Sequence, residues 1–111
     1  MLEALWSVEF DSSLGNHGSG VVVFETDRVF GGDSAMIYVG GFKVENGVLR
    51  VEINVKIYTH VQGMESVVGL DDFNLIVTGT PARDNLFLSG HVVENPSITM
   101  TIKATRRAEL P

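Results

Sequence analysis

Apolar and polar residues alternate most cleanly between Leu49 and Ile57. Leu49, Val51, Ile53, Val55 and Ile57 are separated by Arg50, Glu52, Asn54 and Lys56. Successive side chains of a strand point to opposite faces, so this segment has one apolar and one wet face. At helical spacing the same residues would scatter around the cylinder. The test finds further strands. Trp6, Val8 and Phe10 alternate with Ser7 and Glu9; Phe73, Leu75 and Val77 with Asn74 and Thr78; Ile98, Met100 and Ile102 with Thr99, Thr101 and Lys103. Val21–Glu25, Arg28–Phe30, Ala35–Val44 and Leu86–Val92 are apolar or β-branched runs of strand length.

Turn signals separate these runs. Asp11–Gly20 reads as a Gly/Ser/Asn loop and Thr26-Asp27 as a tight hairpin. Gly31-Gly32-Asp33-Ser34 reads as a sharp turn. Its glycines allow positive φ, and the Asp33 carboxylate is placed to accept backbone N–H bonds. Glu45-Asn46-Gly47 holds the Asn-Gly pair of type I′ hairpins, and Gly79–Asn85 and Glu94-Asn95-Pro96 complete the set. Only Gln62–Asp72 suits a helical turn, with Met64, Val67 and Val68 at i, i+3 and i+4. About eight short strands joined mainly by hairpins predict an all-β, up-and-down antiparallel barrel with at most one short helix. Closure removes exposed edges. Glycines inside strands, at Gly40-Gly41, Gly79 and Gly90, mark bends where strands coil.

The chain has 111 residues, enough for one domain, 1–111, and not two. A hydrophobic fraction of 44% argues against disorder. There is no cysteine, so neither a disulfide framework nor thiol chemistry exists. Acids outnumber bases 14 to 8, a net charge of -6, which disfavours nucleic acid and anionic membranes but not a basic protein partner. Met1–Phe10 lacks a basic start and is interrupted by Glu3 and Glu9, unlike a secretion signal. No run is long enough for a membrane helix. The expected location is cytoplasmic.

Candidate chemistry is sparse. His17, His60 and His91 stand apart, with no metal-ligand spacing between them. Gly15-Asn16-His17-Gly18-Ser19-Gly20 resembles a phosphate cradle only superficially. It lacks the Lys-Ser/Thr pair and leads into a strand, not a helix. Ser12, Ser13, Ser19 and Ser34 read as turn serines, without a nucleophile elbow. Nothing couples Asp33 to Asp71, Asp72 or a histidine as an acid–base pair. The expectation is therefore no catalytic residue, no metal and no cofactor. Glu65, Asp71 and Asp72 form an acidic patch, a solvated face or a docking point for a basic partner. The lone tryptophan, Trp6, suits a plug at one barrel end. With the first and last strands adjacent, Arg106 or Arg107 reaches its indole face.

Several of these pieces together resemble the GrlR family, negative regulators of type III secretion. They are Leu5–Phe10, Gly18–Phe24, Arg28-Val29-Phe30-Gly31-Gly32-Asp33-Ser34, Tyr38-Val39-Gly40 and Phe73-Asn74-Leu75 with Gly79. Of the expected structural signature, Trp6, Gly31, Gly32, Asp33 and Ser34 fall within these segments, and Arg106 joins it through the contact expected with Trp6. The resemblance implies a calycin or lipocalin-like barrel, often a dimer. It also implies a negative regulator that sequesters a transcriptional activator without binding DNA. One departure stands out. The family's acidic run, implicated in holding the activator, falls here on Lys43–Gly47, with Glu45 as its one acid.

Two binding functions follow as expectations, with an enzyme far behind. One is a regulatory module for a protein partner. The other is a carrier of a small apolar ligand, since barrels of this size hold one such molecule. Phe10, Phe24, Phe30, Phe42, Tyr38, Trp6, Met36 and Met100 are available to fill the interior, so a cavity would favour the carrier. The strand Ala35–Phe42 is apolar on both faces, Met36 and Tyr38 on one and Ile37 and Val39 on the other. That predicts a homodimer contact or cover by a local loop. Glu45, Asp71, Asp72, Met36, Ile37, Tyr38 and Val39 are the candidate partner, ligand or dimer surface.

Overall fold

The computed structural model describes residues 2–59, 66 and 68–111, and these form a closed antiparallel barrel of eight strands. The strands are β1 (Ala4–Ser12), β2 (His17–Glu25), β3 (Arg28–Gly32), β4 (Met36–Glu45), β5 (Val48–Ile57), β6 (Asp72–Gly79), β7 (Asn85–Val92) and β8 (Thr99–Ala108). Each pairs with the next, and β8 returns to β1, so no strand edge is left open. The two-residue alternation follows burial. Leu49, Val51 and Val55 are buried while Arg50, Glu52 and Lys56 are exposed. No described residue is helical. The predicted helical turn has Met64 and Val67 outside the described residues, as are His60 and Glu65, whereas Val68 is buried.

The hairpins at Thr26-Asp27 and Asn46-Gly47 hold as read. All four residues have positive φ, with 52° at Asn46 and 76° at Gly47, the type I′ pattern that matches strand twist. Two other turn readings are corrected. Asp11–Gly20 is not one loop. Asp11 and Ser12 end β1, and His17–Gly20 begin β2, with Phe10 opposite Gly18 and Val8 opposite Gly20. Gly31 and Gly32 are not turn residues either. They close β3, paired with Tyr38 and Ile37, and neither has positive φ. Space is the reason at Gly31, where a Cβ would lie 2.0 Å from the Val21 carbonyl oxygen. The turn proper is Asp33–Ala35, and Asp33 fixes it as expected. Its Oδ1 accepts from the Ala35 and Met36 N–H groups, both at 2.8 Å.

One end of the barrel is sealed. Trp6 is fully buried and its indole N–H donates to the Leu2 carbonyl at 2.9 Å. Phe24 lies 6.0 Å from the Trp6 ring, and Phe42 lies 4.9 Å from Phe24. The Arg106 guanidinium stands 5.3 Å over the indole, while its Nε–H donates to the Arg83 carbonyl at 2.7 Å. The β1–β8 register shifts between Leu5 and Trp6, leaving Arg107 as an extra residue that donates to the Ser7 hydroxyl at 2.7 Å. Such a bulge re-aims side chains at a barrel rim. Among the described residues, no helix is long and apolar enough to cross a membrane.

Candidate functional site

The interior is hollow. A cavity of about 640 Å³ runs between the Trp6 floor and the opposite end, within the range of small-molecule sites. Its walls are inward positions of the strands, including Val8, Val22, Val29, Val51, Val55, Leu75, Val77 and Ile102. Most are short β-branched residues, which is why the space is not filled. The aromatic set expected to fill it divides three ways. Trp6 and Phe42 lie below the cavity. Phe10, Phe24, Tyr38, Met36 and Met100 line it. Phe30 turns outward and is 38% exposed.

Two missing side chains in β2 shape the mouth. A Cβ on Gly18 would lie 2.3 Å from the Phe10 ring, and one on Gly20 would lie 2.7 Å from the Tyr38 hydroxyl oxygen. These inward glycines give Phe10 and Tyr38 room to meet edge to face, with ring centroids 6.2 Å apart. Tyr38 is 5% exposed, and its hydroxyl donates to Asp33 Oδ2. Burial pushes the Tyr38 phenol well above the usual tyrosine range, and the hydrogen bond and negative charge of Asp33 add to it. Tyr58 caps the same turn, donating its hydroxyl to the Asp33 carbonyl at 3.0 Å. The mouth is thus a braced polar rim on an apolar chamber. His17, Ser19, Ser34, Ser66 and Asp71 complete the rim.

The structure splits the surface predicted for a partner. Met36 and Tyr38 point into the cavity, so they are wall residues and not an outer contact. Ile37 and Val39 point outward, 41% and 58% exposed. They join Val21 and Phe30 on one face, because Phe30 pairs with Val39 and Gly32 stands between Val21 and Ile37. Sequence reading missed Val21 and Phe30 as members of this face, since only the cross-strand register brings them there. Glu45 lies at the sealed end beside Lys43 at 3.6 Å, away from the acids of the mouth. Asp71 lines the mouth, whereas Asp72 accepts from the Asn54 amide at 2.9 Å on the outside. Next to it, Glu94 accepts two bonds from Asn74 at 2.7 and 2.6 Å, which hold its carboxyl below the usual range.

His17 is held by the Asp11 carboxylate, and His91 lies inside β7. Among the described residues, no three histidines, aspartates or glutamates gather as a metal site. The barrel is calycin-like in architecture, with eight antiparallel strands, a sealed end and an open one. No family model matches the chain, and no curated protein matches it.

Proposed function

We propose that the protein works by binding, and that its ligand is a small, mainly apolar molecule held inside the barrel. The observation that carries this reading is the cavity of about 640 Å³, apolar along its walls and open at one end. Burial of apolar surface supplies the affinity, at roughly 25 cal/mol per Å² before the costs of association. The braced Asp33–Tyr38 pair at the mouth supplies a fixed polar contact. Titration with Nile red, a neutral apolar dye, tests the reading. Saturable fluorescence at one dye per barrel is expected. Val77→Trp, which puts a large ring into the chamber, abolishes it while cooperative unfolding persists. Absence of saturable binding, or binding indifferent to the filled chamber, overturns the proposal.

A second reading uses the outside. The resemblance to the GrlR family implies a cytoplasmic negative regulator of type III secretion that holds a transcriptional activator and leaves DNA untouched. The observation in its favour is the exposed apolar face of Val21, Phe30, Ile37 and Val39, which suits a protein partner or a second copy. The net charge of -6 favours a basic partner over nucleic acid. The segment Lys43–Gly47, which the structure shows as the end of β4 and the Asn46-Gly47 turn, offers a single acid, Glu45, so this reading leans on the apolar face and not on an acidic run.

A further inference from the structure

We infer that the cavity discriminates by the charge of the ligand's polar end, taking an apolar molecule with an amine or hydroxyl head and rejecting one with a carboxylate. This rests on the cavity reading above and assigns its ligand class. The chain has eight cationic side chains, Arg28, Lys43, Arg50, Lys56, Arg83, Lys103, Arg106 and Arg107, and none lines the chamber. Arg106 is taken up at the sealed end by Trp6 and the Arg83 carbonyl. A carboxylate drawn into this chamber would meet no lysine or arginine counter-charge, and an anion buried without a partner is disfavoured.

The mouth is built for the opposite sign. Among the described lining residues the charged groups are Asp33 and Asp71, with His17 already held by Asp11. A tyrosine hydroxyl has one O–H, and Tyr38 donates it as a hydrogen bond to Asp33 Oδ2, so toward a ligand the phenol oxygen only accepts. Asp33 accepts three bonds, from Ala35, Met36 and Tyr38, and its two oxygens together have about four lone-pair sites, so acceptor capacity is left over. A donor head therefore finds acceptors at the rim while its chain meets apolar walls.

The test is displacement of Nile red from the full chain by three ligands of equal length, dodecylamine, dodecanol and dodecanoate, at neutral pH and physiological salt. Dodecylamine and dodecanol are expected to displace the dye at concentrations at least about tenfold below dodecanoate, a gap of roughly 1.4 kcal/mol. Asp33→Asn should narrow the gap between amine and carboxylate, and Asp71→Asn should narrow it if Asp33→Asn fails to fold. Glu45→Gln removes the same charge at the far end and should leave the gap intact. Equal or stronger displacement by dodecanoate overturns the charge selectivity while ligand binding stands. An equal effect of Glu45→Gln also overturns it, because net charge and not the mouth would then be responsible. Failure of the dye itself to bind overturns both readings.

Discussion

Trp6 and Tyr38 mark the two ends of one cylinder, and each does its work through a neighbour. Trp6 is fully buried between Phe24 and the Arg106 guanidinium. Trp6→Ala is expected to cost about 3–5 kcal/mol, the range for truncating a buried aromatic. In a domain of this size that lowers the melting temperature on the order of 15 °C, read by circular dichroism. An unchanged melting temperature would show that the floor does not depend on the indole. Tyr38 makes a prediction about pH. Burial first, and Asp33 second, raise its phenol, so the folded state keeps a proton that the unfolded chain releases above about pH 10. The folded state then binds more protons, and stability must fall as pH rises. Its contribution is complete below about pH 10 and is lost progressively above that. Urea unfolding between pH 8 and 11 should give a flatter pH slope for Tyr38→Phe than for the parent. Identical slopes would mean that the phenol ionises alike in both states.

The strands were legible wherever one face is wet. β5 alternates from Leu49 to Ile57, and the buried residues there, Leu49, Val51 and Val55, are ones the period selects. The Asn46-Gly47 and Thr26-Asp27 hairpins were legible because positive φ narrows the choice of residue. β2 was legible only in its second half. Its first residues, His17-Gly18-Ser19-Gly20, have loop composition, yet they pair with β1 because the rings of Phe10 and Tyr38 need the vacant space. Composition records that a side chain is absent and not what fills its place. The same confusion moved Gly31 and Gly32 from β3 into a turn, where the close Val21 carbonyl and not φ explains Gly31. The site was legible in fragments. Asp33 was visible as a turn-fixing carboxylate, but its bond to Tyr38, five residues on, needs β3 and β4 to be folded against each other. Whether the barrel is hollow was not legible. That depends on how many inward positions are short, and alternation marks them as apolar without fixing the volume they leave.

Inside and outside of this barrel make separate claims, and one substitution series separates them. The wall between them is a single layer of backbone. Tyr38 faces the chamber, while Ile37 and Val39, its neighbours in β4, face solvent. Replacing an outward apolar residue with a charged one removes contact area from a partner without entering the cavity. Ile37→Lys combined with Val39→Lys should therefore leave Nile red binding unchanged and the melting temperature nearly so, since surface substitutions usually stay within about 0.5 kcal/mol. If the outer face holds a second copy or a partner, the same double variant abolishes it. Sedimentation velocity of parent and variant reads self-association, and capture from extract of the native cell reads a partner. A dimer or a captured protein that survives both lysines would place the contact elsewhere. Its loss with dye binding intact would show that β4 presents two independent binding surfaces, because a strand with apolar residues on both faces has only one of them covered by the barrel it builds.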